Sequence, residues 1–186
     1  MNGVFFIRHA ETDLARTFCG HSDPPINARG REQIQQLIRE LNGEGIECIF
    51  TSDLDRAAST ARTMSNSLGV PCIERPKLRE INFGGWEGLT WQQIQELDES
   101  YARRWSESFP SLPAPGGEAF ADFQARVIAE VTEIFKDPHW EQVAVVTHGG
   151  VMRVFLQAIC GLAENEAWEL TKTYCSFFKY PDVVAQ

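Results

Sequence analysis

Short apolar runs alternate with longer stretches of helical periodicity, and this alternation constrains the fold of the chain more than any other feature. The runs are rich in Val, Ile and Phe, and each is bounded by Gly, Asp, Pro or charged residues. Runs of this length and composition predict buried strands. The four runs are GVFFI at 3–7, IECIF at 46–50, VPCI at 70–73 and VAVVT at 143–147.

The stretches between these runs predict amphipathic helices. Over 28–43, apolar residues recur from Ile34 to Leu41 at the spacing of one helix face, and Gly43 follows as a stop signal. Similar patterns predict further helices over 54–69, 90–108 and 118–137, with a loop at 109–117. Strands that alternate with helices indicate an α/β fold, a three-layer α/β/α sandwich with a mostly parallel central sheet.

Size and composition narrow the class of protein. A chain of 186 residues suits a single domain, 1–186, that buries about 70% of its surface. The formal net charge of −9 argues against a partner that is nucleic acid or an anionic membrane, since both require positive patches. No run approaches the ~18–20 apolar residues of a membrane span, and we expect no secretory signal.

The cysteines indicate a reducing compartment. They are odd in number and scattered, without a CxxC pair, which favours free thiols in the cytoplasm over a disulfide framework. The five are Cys19, Cys48, Cys72, Cys160 and Cys175.

Polar residues follow each predicted strand. Arg8 and His9 follow the first strand, Arg56 lies shortly after the second, and His148 follows the 143–147 strand. The third strand leads after a short turn to Glu80. Because ligands of open α/β sheets bind beyond the carboxyl ends of the strands, we expect these side chains to meet at one edge.

Five motifs, in order, resemble the histidine phosphatase superfamily, which also contains the cofactor-dependent phosphoglycerate mutases. They are RHAET at 8–12, SDLDRA at 52–57, LREINFGGWEG at 78–88, PGGE at 115–118 and VTHGG at 146–150. Within that family, two segments resemble the alpha-ribazole phosphatases, which act in cobalamin assembly. They are CGHSDPPINARG at 19–30 and LREINFGGWEGLTW at 78–91. The resemblance implies a phosphoglycerate mutase-like fold in which 80–117 is an insertion that covers the substrate.

The resemblance also implies a role for each cationic residue of the site. His9 is expected to form a covalent phosphohistidine, since a neutral imidazole is nucleophilic near neutral pH. Arg8 and Arg56 are expected to bind the phosphate, because a guanidinium matches its geometry. Protonated His148 is expected to donate to a phosphoryl oxygen, and Gly149 after it to allow close backbone approach.

Two carboxylates compete for the role of general acid. The place of Glu80 before INFG matches the acid of the family, whereas Glu87 lies in GWEG and is the rival. An acid that works at neutral pH needs a raised pKa, which burial favours and nearby arginines oppose. Glu11 is expected to be structural.

Two positions depart from the family pattern. Ala10 stands where the family usually has glycine, and Ala15 where it usually has an asparagine that contacts the phosphate. Loss of one neutral donor weakens phosphate binding by roughly 1–3 kcal/mol.

The resemblance implies no metal and no cofactor, and the spacing of Cys19, His21 and His9 fits no common zinc pattern. The partner is expected to be a small phosphorylated substrate, and the oligomeric state a monomer or homodimer. One set of aromatic residues fits either a substrate pocket or the core: Trp86, Trp91, Trp105 and Phe109.

Three activities remain open from the sequence. The first is hydrolysis of a phosphate ester such as alpha-ribazole 5′-phosphate or another nucleotide-like or sugar phosphate. The second is a mutase reaction, which we expect to be disfavoured because the chain ends soon after SFFKYP and lacks the tail that shields the mutase intermediate. The third is a weakly catalytic phosphate-binding module, suggested by Ala10 and Ala15.

Overall fold

The strands of the computed structural model, which describes residues 3–184, form one sheet. The strands are β1 (Gly3–Arg8), β2 (Cys48–Thr51), β3 (Cys72–Glu74), β4 (Gln142–Thr147) and β5 (Phe177–Tyr180). Their order is β3-β2-β4-β1-β5, and β5 runs antiparallel to β1 while the other neighbours pair in parallel. The predicted α/β fold with a mostly parallel central sheet is confirmed.

Helices flank the sheet on both faces. They are α1 (Ala28–Leu41), α2 (Asp55–Leu68), α3 (Trp91–Leu97), α4 (Glu99–Ser108), α5 (Phe120–Lys136), α6 (Gly149–Ala158) and α7 (Glu164–Thr171). Three-residue 3-10 turns lie at Pro76–Leu78, Gly84–Trp86 and Asp182–Val184. The helices predicted over 28–43, 54–69 and 118–137 correspond to α1, α2 and α5, with ends that differ by at most two residues. None of the helices within residues 3–184 has both the length and the apolar character needed to cross a membrane.

The side chains of β1 pack against helices on both faces of the sheet, because successive side chains of a strand point to opposite faces. This arrangement gives the three layers, helix, sheet and helix. Phe5 and Ile7 pack in one core cluster with buried residues of α1 and α2. Phe6 packs in the other cluster, with α5, α6 and α7, and its ring stacks on Phe155 at a centroid distance of 4.1 Å. Each such buried side chain contributes roughly 1.5–3 kcal/mol. This packing fixes the carboxyl end of β1, which carries the candidate site.

Two sequence predictions are wrong in detail. The helix predicted over 90–108 is two helices, because Asp98 ends α3 and its side chain caps α4 by accepting from the backbone N–H of Tyr101 at 2.9 Å. The strand predicted over 70–73 is observed as β3, Cys72–Glu74, so it begins two residues later than predicted. In addition, β5 was not predicted, because the sequence analysis assigned no element to FFKY.

The segment 80–117 has a small hydrophobic core of its own, to which Phe18 contributes from outside the segment. The buried members of this core are Trp86, Ile94, Ala102 and Ala114. Gly84 has a φ of +52°, and a Cβ there would lie 2.5 Å from the backbone of Gly117. The glycine therefore permits a close crossing of the two ends of the segment. The single-domain boundaries predicted at 1 and 186 lie outside the described residues.

The topology brings the strand ends together. β1, β4 and β2 are neighbours that run in parallel, so the residues after them share one edge of the sheet. The backbone N–H of His9 donates to Thr147 O at 2.8 Å, and that of Ser52 donates to Val146 O at 3.1 Å.

Candidate active site

His9 follows β1 and is held as a neutral ring. Its Nδ1 lies 2.7 Å from the carbonyl oxygen of Ala10. Because a carbonyl only accepts, Nδ1 carries the proton and Nε2 keeps its lone pair. Nε2 accepts from Nε of Arg56 at 3.3 Å. Burial, then the charges of Arg56 and Arg8, holds the pKa of His9 well below its usual value. The ring is thus neutral, with its lone pair on Nε2, which is the form that the predicted nucleophile requires.

Alanine fits at position 10. Ala10 is fully buried, and its N–H donates to Thr60 Oγ1 at 3.1 Å. Among the described residues, the non-glycine residues with positive φ are Arg16 and Cys175, so position 10 does not need a glycine backbone. The departure from the family pattern leaves the orientation of His9 intact. Ala15, the other departure, is half-buried.

Arg8, the last residue of β1, is held by backbone and by an aromatic ring. Its Nη1 donates to the carbonyls of Thr171 at 3.0 Å and Lys172 at 2.7 Å. Its Cζ lies 4.2 Å from the ring centroid of Tyr174. Its Nε is buried and has no hydrogen-bond partner among residues 3–184. Arg8 is therefore held in orientation at the cavity wall, with its Nε–H unpaired within that range.

Arg56 lies in the first turn of α2 and is fully buried. Its Nη1 donates to Ser22 O at 2.7 Å, and its Nη2 donates to Gly20 O at 2.6 Å and Cys19 O at 3.3 Å. The structure thus brings Arg56 against His9, as predicted, but backbone carbonyls take most of its donors. Its direct contact with a phosphate stays a prediction.

His148 follows β4 and precedes α6. Its ring centroid lies 5.1 Å from that of His9, and its Nε2 lies 2.9 Å from Ser52 Oγ. Burial, then the charges of Arg56, His9 and Arg8, holds its pKa well below the usual value, so the ligand-free ring is neutral rather than protonated. Its Nδ1 is buried without a partner among the described residues. If Ser52 donates to Nε2, Nδ1 carries a proton that can be donated without a positive charge.

Glu80 lies in the cavity wall and is firmly placed. Its carboxylate accepts from the N–H of Gly150 at 2.8 Å and from its neighbour Ile81 at 2.9 Å. A Cβ on Gly150 would lie 2.1 Å from Glu80 Oε1, so this close approach requires glycine. Arg126 supports the segment by donating to the carbonyls of Lys77, Arg79 and Glu80.

Glu87 has a different environment. It accepts backbone N–H groups of Gly20, His21, Ser22 and Phe83 at 2.8–3.0 Å. Burial opposes its ionisation, but these hydrogen bonds together hold the pKa of Glu87 below its usual value. A carboxylate that is kept ionised and fully engaged suits a structural tie, whereas Glu80 is the carboxylate in the wall of the cavity.

The candidate site opens into a cavity of about 580 Å³. Arg8, His9, Glu80 and Gly149 line it. Trp105 and Phe109 also line it, whereas Trp86 is core, 2% exposed. Of the aromatic residues that the sequence assigned either to a substrate pocket or to the core, Trp105 and Phe109 therefore belong to the pocket and Trp86 to the core.

Sequence reasoning missed three residues that line the same cavity: Arg153, Trp168 and Tyr174. Tyr174 packs on Arg8 and its ring lies 5.5 Å from that of His9. Arg153 and Trp168 lie on α6 and α7, outside the five motifs. The signal that the sequence offered for Arg153 is its place five residues after His148.

The histidine and cysteine near the site have other partners. His21 Nε2 lies 3.1 Å from Glu80 O, and Cys19 Sγ donates to Ser22 O at 3.5 Å. Residues 3–184 contain no group of three His, Cys, Asp or Glu side chains placed to hold a metal ion. Glu11, expected to be structural, accepts from Asn27 Nδ2 at 3.2 Å.

Comparisons with known proteins assign the chain to a family. Residues 4–180 match the histidine phosphatase superfamily (branch 1). The adenosylcobalamin/alpha-ribazole phosphatase of Escherichia coli (strain K12) is 29% identical over 89% of this chain and 82% of that protein. Phosphoserine phosphatase 1 of Hydrogenobacter thermophilus is 30% identical over 89% of this chain and 79% of its own length.

A solved structure gives the same result. The alpha-ribazole phosphatase from Shigella flexneri superposes with a TM-score of 0.86 at 26% identity, over 95% of this chain and 89% of that chain. The family match covers the motifs that carry His9, Glu80 and His148. The chain is therefore an enzyme of the histidine phosphatase superfamily, branch 1.

Proposed function

We propose that the chain is a metal-independent phosphomonoesterase that forms a phosphohistidine at His9. The observation that carries the proposal is the fixed tautomer of His9, whose Nδ1–H is bound to Ala10 O and whose Nε2 is the acceptor nitrogen, on a ring that lines the cavity with Arg8 and Glu80. Phosphoryl transfer requires a nucleophile, a cation that offsets the charge of the phosphoryl group, and an acid for the leaving oxygen. His9, Arg8 and Glu80 can supply these three in one cavity.

In the first step, Nε2 of His9 attacks phosphorus, and the bond between phosphorus and the ester oxygen breaks as the N–P bond forms. The leaving oxygen takes its proton from Glu80. Arg8 and Nδ1–H of His148 offset the negative charge on the phosphoryl oxygens. The positive charge that develops on the His9 ring is delocalised and stabilised through Nδ1–H and the carbonyl of Ala10.

In the second step, water attacks the phosphorus of the phosphohistidine. Glu80, now a carboxylate, accepts the proton of the water as the new O–P bond forms and the N–P bond breaks. Inorganic phosphate leaves, and His9 returns to its neutral tautomer. The same carboxyl group thus serves as acid and then as base.

We infer that the substrate is alpha-ribazole 5′-phosphate or a related nucleotide-like or sugar phosphate. Two aromatic side chains of the cavity are about half exposed, Phe109 at 49% and Trp168 at 53%. Aromatic faces of this kind suit a flat ring on the leaving group. The name of the Escherichia coli relative supports the same substrate.

We also infer that the protein is cytoplasmic and acts as a monomer or homodimer. All five cysteines are free thiols, which agrees with a reducing compartment. The residues assigned to the two steps come from one copy of the chain.

The test is phosphate release from a panel of esters by wild type and His9→Ala. The panel contains alpha-ribazole 5′-phosphate, phosphoserine, 3-phosphoglycerate, fructose phosphates and nitrophenyl phosphate. We expect a preference of about a hundredfold for alpha-ribazole 5′-phosphate, or about 2.7 kcal/mol of transition-state discrimination, and no effect of EDTA. Equal, slow turnover of all esters contradicts the substrate, and inhibition by EDTA contradicts metal independence. Conversion of 3-phosphoglycerate to its isomer in place of phosphate release would identify a mutase.

A further inference from the structure

Arg153 is a cation of the cavity to which the two steps above assign no role. It lies on α6, one turn after Gly149, and it lines the cavity together with Arg8 and Glu80. Its Cζ lies 5.1 Å from the ring centroid of Trp168, so the guanidinium has an aromatic platform on one side.

Arg153 and Arg8 converge on one point. A Cβ built on Gly149 would lie 3.1 Å from Nη1 of Arg153, 3.7 Å from its Cζ and 3.7 Å from the Cζ of Arg8. Gly149 is also the first residue of the ten-residue helix α6. Two guanidinium groups and the positive end of a helix therefore surround the same small volume.

Neither guanidinium has a carboxylate partner. Within residues 3–184, no salt bridge involves Arg8 or Arg153. The hydrogen bond that Arg153 makes to protein runs from Nη1 to Thr171 Oγ1, at the long distance of 3.5 Å. Burial lowers the pKa of both groups, and the charge of Glu80, which lies beyond salt-bridge distance, opposes that shift. Partly buried cations with no carboxylate within salt-bridge distance are costly, and an anionic ligand bound directly to them reduces that cost.

Arg56 differs from this pair. Its side chain is fully buried, and the carbonyls of residues 19, 20 and 22 and the His9 ring occupy four of its five N–H donors. In addition, Ala15 cannot supply the side-chain amide that the family usually has there. Among the described residues, the arginines that line the cavity are therefore Arg8 and Arg153.

We propose that Arg153 binds the phosphoryl group of the substrate through its planar fork, together with Arg8. This inference rests on the proposed phosphatase function and adds a binding residue to it. Both guanidinium groups lie close to Gly149. This favours a single phosphoryl group bound by both arginines. The alternative, in which Arg153 binds a second anionic group on the leaving portion of the substrate, is less consistent with that geometry.

The experiment measures inorganic phosphate as a competitive inhibitor of nitrophenyl phosphate hydrolysis. Arg153→Gln should weaken phosphate binding at least tenfold and raise KM for nitrophenyl phosphate and phosphoserine alike. Arg153→Lys, which keeps the charge and the aliphatic stem but not the fork, should weaken binding at least threefold. Arg103→Gln, an exposed arginine of α4, is the matched control and should bind phosphate as wild type does.

An inhibition constant of Arg153→Gln within twofold of wild type would overturn the inference. A loss confined to phosphoserine would also overturn it, because the contact would then be to the carboxylate of that substrate. If Arg153→Gln does not fold, as judged by circular dichroism, Arg153→Lys decides, and wild-type affinity in that variant overturns the inference. Wild type that hydrolyses no ester and binds no phosphate refutes the proposed function itself.

Discussion

Nε of Arg56 donates to Nε2 of His9 across 3.3 Å. The other ring nitrogen of His9 donates to Ala10 O at 2.7 Å. One nitrogen is thereby fixed as donor and the other as acceptor, and the adjacent cation disfavours an imidazolium. The proposed nucleophile is therefore oriented and neutral before any substrate arrives.

Replacement of His9 by alanine should abolish turnover. We expect a loss of roughly 10⁴-fold or more in kcat, because the proposed mechanism transfers the phosphoryl group to His9 in its first step. Phosphate release from nitrophenyl phosphate measures it, and circular dichroism confirms folding. His139→Ala is the matched control, since His139 is exposed and does not line the cavity. A folded His9→Ala protein with wild-type turnover would exclude the covalent step.

Replacement of Glu80 by glutamine should slow turnover in a manner that depends on the leaving group. An alkyl ester needs a proton on its leaving oxygen, so kcat should fall about 10²–10⁴-fold. Nitrophenolate leaves without a proton, so the first step with nitrophenyl phosphate should be much less affected in a pre-steady-state burst. Equal losses of the burst rate for both esters would argue against Glu80 as the acid.

Replacement of Glu87 by glutamine should act on stability. Its carboxylate accepts four backbone N–H groups and ties the segment 20–22 to Phe83. An amide has one acceptor oxygen in place of two, so the free energy of unfolding should fall by about 2 kcal/mol. Urea unfolding measures this, with the exposed Glu96→Gln as control. Loss of turnover at unchanged stability would instead make Glu87 the acid.

The buried histidines predict acid sensitivity. Burial and the nearby arginines hold the pKa of His9 and of His148 well below the usual value. Unfolding returns both to about 6.5, so below that pH the unfolded chain binds more protons than the folded chain. The free energy of unfolding should therefore fall with pH below about 6.5, by up to about 1.4 kcal/mol per pH unit for each histidine.

Urea unfolding at about pH 7.5, 6.5 and 5.5 measures this slope. This range lies above the ordinary pKa of carboxylates, so they contribute little. His148→Asn should reduce the slope by about half, because one of the two titrating groups is gone. His139→Asn should not reduce it, since that ring is exposed and pairs with Asp137 instead of being buried beside arginines. Equal slopes in wild type and His148→Asn would contradict the assignment of buried neutral rings.

Most of the sheet was predictable from the sequence, because β1, β2 and β4 are buried on both faces and appear as continuous apolar runs. β5 was not, because it is an edge strand with one fully buried residue, Phe178, and pairs antiparallel to β1. The break at Asp98 was missed because the apolar spacing continues across it, while a side-chain cap starts α4 anew.

The site was predictable to the extent that strands place its residues. His9, Glu80 and His148 meet because parallel strands end at one edge. Arg153 and Tyr174 come from α6 and from the segment before β5, and their approach depends on tertiary packing that no local pattern encodes. The engagement of Arg56 by backbone carbonyls depends on the path of residues 19–22, which also cannot be deduced from the spacing of motifs.

The most direct test of the central claim is to trap the intermediate. Wild type is mixed with nitrophenyl phosphate, quenched with alkali within the first turnover, digested and analysed by mass spectrometry. The account predicts one added phosphoryl group on the peptide that contains His9, stable to alkali and lost in acid, and absent from His9→Ala. Rapid turnover by wild type with no phosphorylated peptide, or with the phosphoryl group on another residue, would contradict it.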